Sequence, residues 1–241
     1  MNKVVVGLVG SGFSAILHAE AYQKVYGLEV VLKAVASVEP TINDFANKYG
    51  ITDIYSDYNE MLKDPEIDVI DICTPPVLHI PMVKASMTAG KHVICEKPLT
   101  GFFGEKGAED VGHNVKKSDM LKAVVDEMDD LAEFLKGTDK LFMYAENFVY
   151  APAMQKNLEL LKAKKSKILY MRGEESHCGS HAHHAAYWKY NGGGSFIRQG
   201  CHPLSAAIYL KQEEAALRGE EFGIASVMGD VGVVQSCLPE E

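Results

Sequence analysis

KVVVGLVGSGFSAILHA, Lys3 to Ala19, is the stretch that decides the fold. Its first half is a β-branched run that ends at glycine, as a buried strand does before a tight turn. Its second half opens a helical spacing, with Ile16, Leu17, Ala21 and Val25 along Ser14–Tyr26. Between them stands Gly10-Ser11-Gly12-Phe13-Ser14-Ala15, the G-x-G-x-x-A form of the dinucleotide fingerprint. Gly10 permits the turn, Gly12 lets main chain approach a pyrophosphate, and Ala15 lets the helix lie close to the strand. Exposed N–H groups and the helix dipole then favour the phosphate charge. The glycines alone are a weak signal. Their place between a predicted strand and helix makes Gly10, Ser11, Gly12, Phe13 and Ser14 the expected phosphate-binding turn.

Outward from this turn, strand and helix signals alternate. Glu29–Ser37, Thr52–Tyr55, Asp68–Cys73 and His92–Cys95 read as strands, with helices over Pro40–Tyr49, Tyr58–Lys63 and Ile80–Ala89. Such alternation predicts an α/β fold with a doubly wound parallel sheet. Gly101–Lys117 has no clean period and reads as an inserted loop. Asp119–Lys136 reads as a long amphipathic helix and Lys140–Asn147 as the last strand of this unit. The first domain is therefore set at 1–148 and the second at 149–241. In the second, Ala151–Lys164 and Phe196–Leu210 read as helices. Lys167–Glu174 and the tail from Glu221 read as strands, around an irregular His- and Gly-rich segment, Ser176–Gly194.

Lys+Arg number 24 against Asp+Glu 33, and the net charge of -9 argues against nucleic acid as a partner. The five cysteines include no CxxC pair, which suits a reducing cytosol better than a disulfide scaffold. No apolar run has the length of a membrane span, so a cytoplasmic protein without membrane contact is expected. The second strand ends at Ser37, where an acid would bind a ribose 2′-OH and an arginine a 2′-phosphate. Glu39 follows two residues on and would repel a phosphate, so the cofactor is NAD or NADP with a lean to NAD.

Two further stretches carry a family resemblance. They are Thr74-Pro75-Pro76-Val77-Leu78-His79 and Gly90-Lys91-His92-Val93-Ile94-Cys95-Glu96-Lys97-Pro98-Leu99. With the glycine turn, and with ENFVYAP (Glu146–Pro152) and GGGSFIRQGCHP (Gly192–Pro203), the chain resembles the Gfo/Idh/MocA oxidoreductases. The resemblance implies a Rossmann domain joined to an α+β domain whose open sheet covers the nicotinamide and often mediates oligomers, so a homodimer is among the expectations. It implies NAD(P)-linked oxidation or reduction of a hydroxyl carbon on a sugar, sugar acid or cyclitol. It places Glu96, Lys97 and Pro98 beside the nicotinamide ribose, Thr74, Pro75 and His79 along the cofactor cleft, and Asn147 and Tyr150 near the nicotinamide. About 30 residues after Leu210 are too few for the strands of such a second domain. An incomplete α+β C-terminal domain, truncated relative to the family, is therefore expected.

Lys97 follows a buried strand at its carboxyl end, where open α/β sheets bind ligands, and it can polarise a reacting oxygen. In the family the segment after the glycines reads D-x-G-x-H-x-x-D. Here Arg198, Gly200, His202 and Ser205 stand there, so the histidine is kept and both acids are gone. His202 remains the expected proton-transfer residue. Arg198, four residues earlier, shares its helix face and can hold an anionic group such as a sugar acid, or pair with Glu174 or Glu175. His177, Tyr187 and Trp188 read as sugar-contacting groups on a loop over the substrate. His177, His181, His183 and His184 lack the HExxH helix or thiolate pair of a metal centre, so no metal is expected. Two rivals stay open: an NAD-dependent glycosidase of the same superfamily, and a non-catalytic nucleotide-binding regulator or scaffold.

Overall fold

The computed structural model describes residues 3–105, 108, 110–176, 185 and 187–230. The glycine turn joins β1 (Lys3–Val9) to α1 (Phe13–Tyr22). Then come β2 (Glu29–Ala36), α2 (Ile42–Tyr49), β3 (Asp53–Tyr55), α3 (Tyr58–Leu62), β4 (Val69–Ile72), α4 (His79–Thr88) and β5 (His92–Glu96). A four-residue helix α5 (Val111–Asn114) and the long α6 (Lys117–Lys136) lead to β6 (Phe142–Ala145). The strands form one parallel sheet in the order β3-β2-β1-β4-β5-β6. The order reverses between β1 and β4, and at such a switch point the strand ends leave a crevice for a ligand.

β1 is central and buried on both faces, which is why it reads as a continuous apolar run. Alternate side chains leave a strand on opposite sides. Val5 and Val9 accordingly join Ile70, Ile72, Val83, Val93 and Leu131 on one face, while Leu8 joins Ala15, Ala19, Val35 and Phe45 on the other. Ala15 has no exposed surface, as close helix–sheet packing requires. Burying each large aliphatic chain contributes about 1.5–3 kcal/mol. Truncating Ile70 to alanine at the sheet centre would cost about 2–5 kcal/mol.

After β6 a short 3₁₀ turn (Asn147–Tyr150) leads into α7 (Pro152–Lys164), and α8 (Trp188–Asn191) precedes a π-turn (Phe196–Gly200) and α9 (Cys201–Arg218). α7, α9 and the 3₁₀ turn pack together. The strand expected over Lys167–Glu174 does not form, and the tail from Glu221 carries no ladder over residues 221–230, the rest of it lying outside the described residues. A β-pattern without a partner has nothing to hydrogen-bond along, and Leu169 and Tyr170 stand 90% and 82% exposed. The expected inserted loop is in part a packed element, since it contains α5. Its start is seated by main chain: Phe102 N–H donates to the Gly192 carbonyl at 2.8 Å. A Cβ on Gly101 would lie 2.6 Å from that same oxygen, and Gly192 sits at φ +71. No described helix is long and apolar enough to cross a membrane.

Candidate active site

The parallel strands deliver their carboxyl ends to one edge of the sheet, and most of the expected site residues gather there. Gly10 takes φ +102, and a Cβ on it would lie 2.6 Å from the Cys73 carbonyl oxygen, so only glycine fits between β1 and β4. Gly12 caps α1 without a side-chain bond, and no acid lies in the first turn. A Cβ on Gly12 would meet nothing within 4 Å. The helix therefore presents unsatisfied N–H donors to open space, and these residues fit a dinucleotide's pyrophosphate. At the end of β2 the Ser37 hydroxyl lies 2.9 Å from that of Ser11 and accepts the Glu39 N–H at 3.1 Å. This corner holds hydroxyls and no fixed charge on the strand end, which suits a ribose.

His79 departs from its expected place on the cleft wall. It is fully buried, with Nδ1 2.8 Å from the Pro98 carbonyl oxygen and Nε2 2.8 Å from that of Thr74. Both ring nitrogens thus face main-chain oxygens, and burial lowers the ring's pKa, which favours the neutral form with one N–H to donate to either of them. His79 fastens the Thr74–Pro75 turn to the Lys97–Pro98 turn and touches a ligand only through them.

The main surprise lies around His202. Its Nδ1 is 2.8 and 3.0 Å from the two carboxylate oxygens of Glu146, a residue that the sequence reading gave no chemical role. Glu146 directly follows β6 at its carboxyl end, is 4% exposed, and also accepts the Phe148 N–H at 3.2 Å. Burial alone would raise its pKa. Hydrogen bonds from His202 and the Phe148 N–H, with the Lys97 charge, outweigh burial and hold it below the usual carboxylate value. An ionised Glu146 can only accept, so the Nδ1 that faces it carries a hydrogen, and Nε2 is the nitrogen left to exchange a proton. Phe148 stacks on the imidazole, centroids 4.2 Å apart and planes 19° off parallel, and fixes its tilt. The acid absent from position 198 is thus supplied from another strand.

Lys97 reaches the same place, its Nζ donating to the Arg198 carbonyl at 3.2 Å. Arg198 is held on its own side by a 3.2 Å bond to the Ala185 carbonyl, and burial lowers its pKa. No described carboxylate pairs with it; Glu174 instead accepts from Arg172 at 3.3 Å. The residues between Arg198 and His202 include a π-turn, so the two are not stacked on one α-helical face as expected.

The remaining candidates separate. Tyr150 lines a hollow of about 260 Å³ with Glu146, Tyr144, Ser205 and Tyr209, while Asn147 is exposed beside it. A larger hollow of about 460 Å³, lined by Leu160, Leu161, Ile168 and Leu210, shares none of the site's residues. Trp188 is turned to a structural task. Its Nε1 donates to the Phe102 carbonyl at 2.6 Å, and its ring leaves room for no more than a glycine at 112, where a Cβ would lie 2.9 Å away. His177, His181, His183 and His184 lie outside the described residues. Among the described residues, two groups of three side chains have metal-competent atoms within 4.8 Å of one another: His18, Asp71 and Cys73, and Glu146, Cys201 and His202.

Comparison with known proteins bears on the Rossmann part of the chain. The family model described as an oxidoreductase family with an NAD-binding Rossmann fold, GFO_IDH_MocA, matches residues 4–124. Levoglucosan dehydrogenase of Pseudarthrobacter phenanthrenivorans is 37% identical over 106 residues, 41% of this chain and 27% of that protein. Myo-inositol 2-dehydrogenase of Thermotoga maritima is 32% identical over 96 residues, 39% of this chain and 28% of that protein. A solved levoglucosan dehydrogenase in complex with NADH and L-sorbose superposes with a TM-score of 0.66 at 26% identity, covering 87% of this chain and 54% of that one. This chain spans about half the length of that structure. The fingerprint turn, the strand order and the family match agree, and the chain belongs to the Gfo/Idh/MocA oxidoreductase family with its NAD-binding Rossmann fold.

Proposed function

We propose that this chain carries the cofactor cleft and proton-transfer pair of an NAD-linked dehydrogenase acting on a hydroxyl carbon of a sugar, sugar acid or cyclitol. The observation that carries this reading is the Glu146–His202 pair beside Lys97, at the same sheet edge as the glycine turn. A nicotinamide held in this cleft would supply the hydride acceptor for the carbinol carbon. The protein's share is orientation and proton movement. His202 Nε2 takes the hydroxyl proton, Glu146 holds the ring in the tautomer that can do so, and Lys97 donates to the oxygen as negative charge develops on it. Arg198, with no described carboxylate partner, favours a substrate that carries a carboxylate.

A panel of neutral sugars, sugar acids, cyclitols and aryl glycosides, each with NAD and NADP, tests this. NADH formation on a free sugar or sugar acid supports the dehydrogenase. Release of aglycone without net NADH would identify a glycosidase instead, and nucleotide binding without any turnover would identify a regulator.

A further inference from the structure

His18 takes no part in the chemistry described above, yet an acidic side chain faces each of its ring nitrogens. It stands on α1, and the two acids are Asp71 of β4 and Glu96 at the end of β5. Its Nδ1 is 2.8 Å from Asp71 Oδ2 and its Nε2 is 3.2 Å from Glu96 Oε1. Asp71 is fully buried and also accepts the Tyr22 hydroxyl at 2.7 Å. The second oxygen of Glu96 accepts the Lys97 N–H at 2.9 Å. A carboxylate at each ring nitrogen is satisfied only when both nitrogens carry hydrogen.

We propose that His18 is a positioning residue, a permanently protonated cross-brace that ties the helix of the glycine turn to the turn bearing Lys97. The consequence is geometric. α1 begins at the pyrophosphate end of the cleft, and Glu96-Lys97 lies at the nicotinamide end. One imidazolium, gripped at both nitrogens, fixes the distance between the two ends. The groups that face it are Asp71, Glu96, the Tyr22 phenol and the Cys73 thiol. Burial works against the charge on His18, but hydrogen bonds to Asp71, Cys73 and Glu96 outweigh it and raise the pKa far above the ordinary histidine value. Burial pushes the Cys73 thiol up to about 12 and raises the Tyr22 phenol, so both stay neutral near pH 7. Among these groups His18 alone can carry a positive charge, and replacing it by a neutral residue removes that charge.

This inference rests on the cofactor cleft of the proposed function, and its test separates the two. The probes are ADP, which lacks the nicotinamide riboside, and NADH. His18→Gln should weaken NADH about tenfold, the scale of one lost charged hydrogen bond, while ADP binds as in the unaltered protein. Equal weakening of both nucleotides would mean a merely structural residue and would overturn the proposal. Nitrogen-15 NMR of the unaltered protein's histidines supplies a second, binding-independent measurement. His18 should show two protonated ring nitrogens at pH 8, and a neutral ring there would overturn the proposal even if the variant fails to fold. Failure of the unaltered chain to bind either nucleotide would count against the cleft itself, and the NMR result would still decide the state of His18.

Discussion

Glu146 and His202, 56 residues apart in sequence, meet at 2.8 Å as a buried carboxylate–imidazole pair. The pair puts an acid beside the histidine although the 198–205 segment itself holds none. Glu146→Gln keeps the shape but can no longer demand a hydrogen on Nδ1. The turnover number on the active sugar should fall about 100-fold, with NADH affinity unchanged, by steady-state kinetics and nucleotide titration. A fall confined to KM would count against the tautomer role.

The same pair sets an acid-side dependence of stability. Glu146 is held below its ordinary value of 4.5 in the folded chain. A depressed carboxyl contributes stability fully above its unfolded pKa and loses it as pH falls through the lower folded value. Thermal unfolding followed from neutral pH to below 4.5 should therefore show a smaller acid loss for Glu146→Gln than for the unaltered protein.

Lys97 is half-buried and its Nζ makes one hydrogen bond among the described residues, to the Arg198 carbonyl, so its loss costs the fold about 0.5–1.5 kcal/mol. Lys97→Met should lower turnover about 100- to 10,000-fold while the melting temperature falls by only a few degrees and ADP affinity is unchanged. An active Lys97→Met protein would remove the lysine from the mechanism.

The two glycines of the fingerprint should fail in different ways. Gly10→Ala drives a Cβ to 2.6 Å from the Cys73 oxygen at φ +102 and should cost about 1–3 kcal/mol of stability. Gly12→Ala meets no protein atom, so it should leave unfolding unchanged and weaken ADP by occupying the approach to the pyrophosphate. Denaturant titration and ADP binding on the two variants separate the effects.

Trp188→Ala should act on the fold more than on the substrate. It removes the ring that covers Gly112 and the bond to the Phe102 carbonyl. A loss of about 1–3 kcal/mol is expected, with the sugar KM little changed. A KM effect without a stability effect would return Trp188 to the substrate.

Arg198→Ala, assayed on matched neutral and acidic sugars, should lose activity on the acid and keep it on the neutral compound. Equal loss on both would show that the bond to Ala185, rather than a substrate carboxylate, is what Arg198 provides.

The sheet was legible because its signals are local. β1, β4 and β5 are buried runs read directly from Val, Ile and Leu, and the glycine turn is a contiguous string with one stereochemical solution. Glu146 was not legible in that way, since its partner is 56 residues away and its own segment gave no reason to expect burial. A signal did exist: an acid missing beside a retained histidine asks for another, and Glu146 stands at the carboxyl end of the last strand. His79 looked like a cleft residue because sequence shows proximity to a motif but not which way a ring turns. Trp188 reads as a sugar-contacting group, and sequence could not show the bond to the Phe102 carbonyl or the seat on Gly112, the small residue that makes room for its ring. Lys167–Glu174 has the composition of a strand, but composition cannot supply a second strand to pair with.

The contact between Gly101 and Gly192 has a consequence for how this protein can vary. A Cβ on either residue would come within about 2.6 Å of the other's main chain. The segment that follows the lysine turn and the segment that leads into the histidine helix are therefore one inheritable part in two pieces. Substitution at one is constrained by the other, and a designer who transplants the 101–117 segment onto a relative must carry the lead-in at 192 with it.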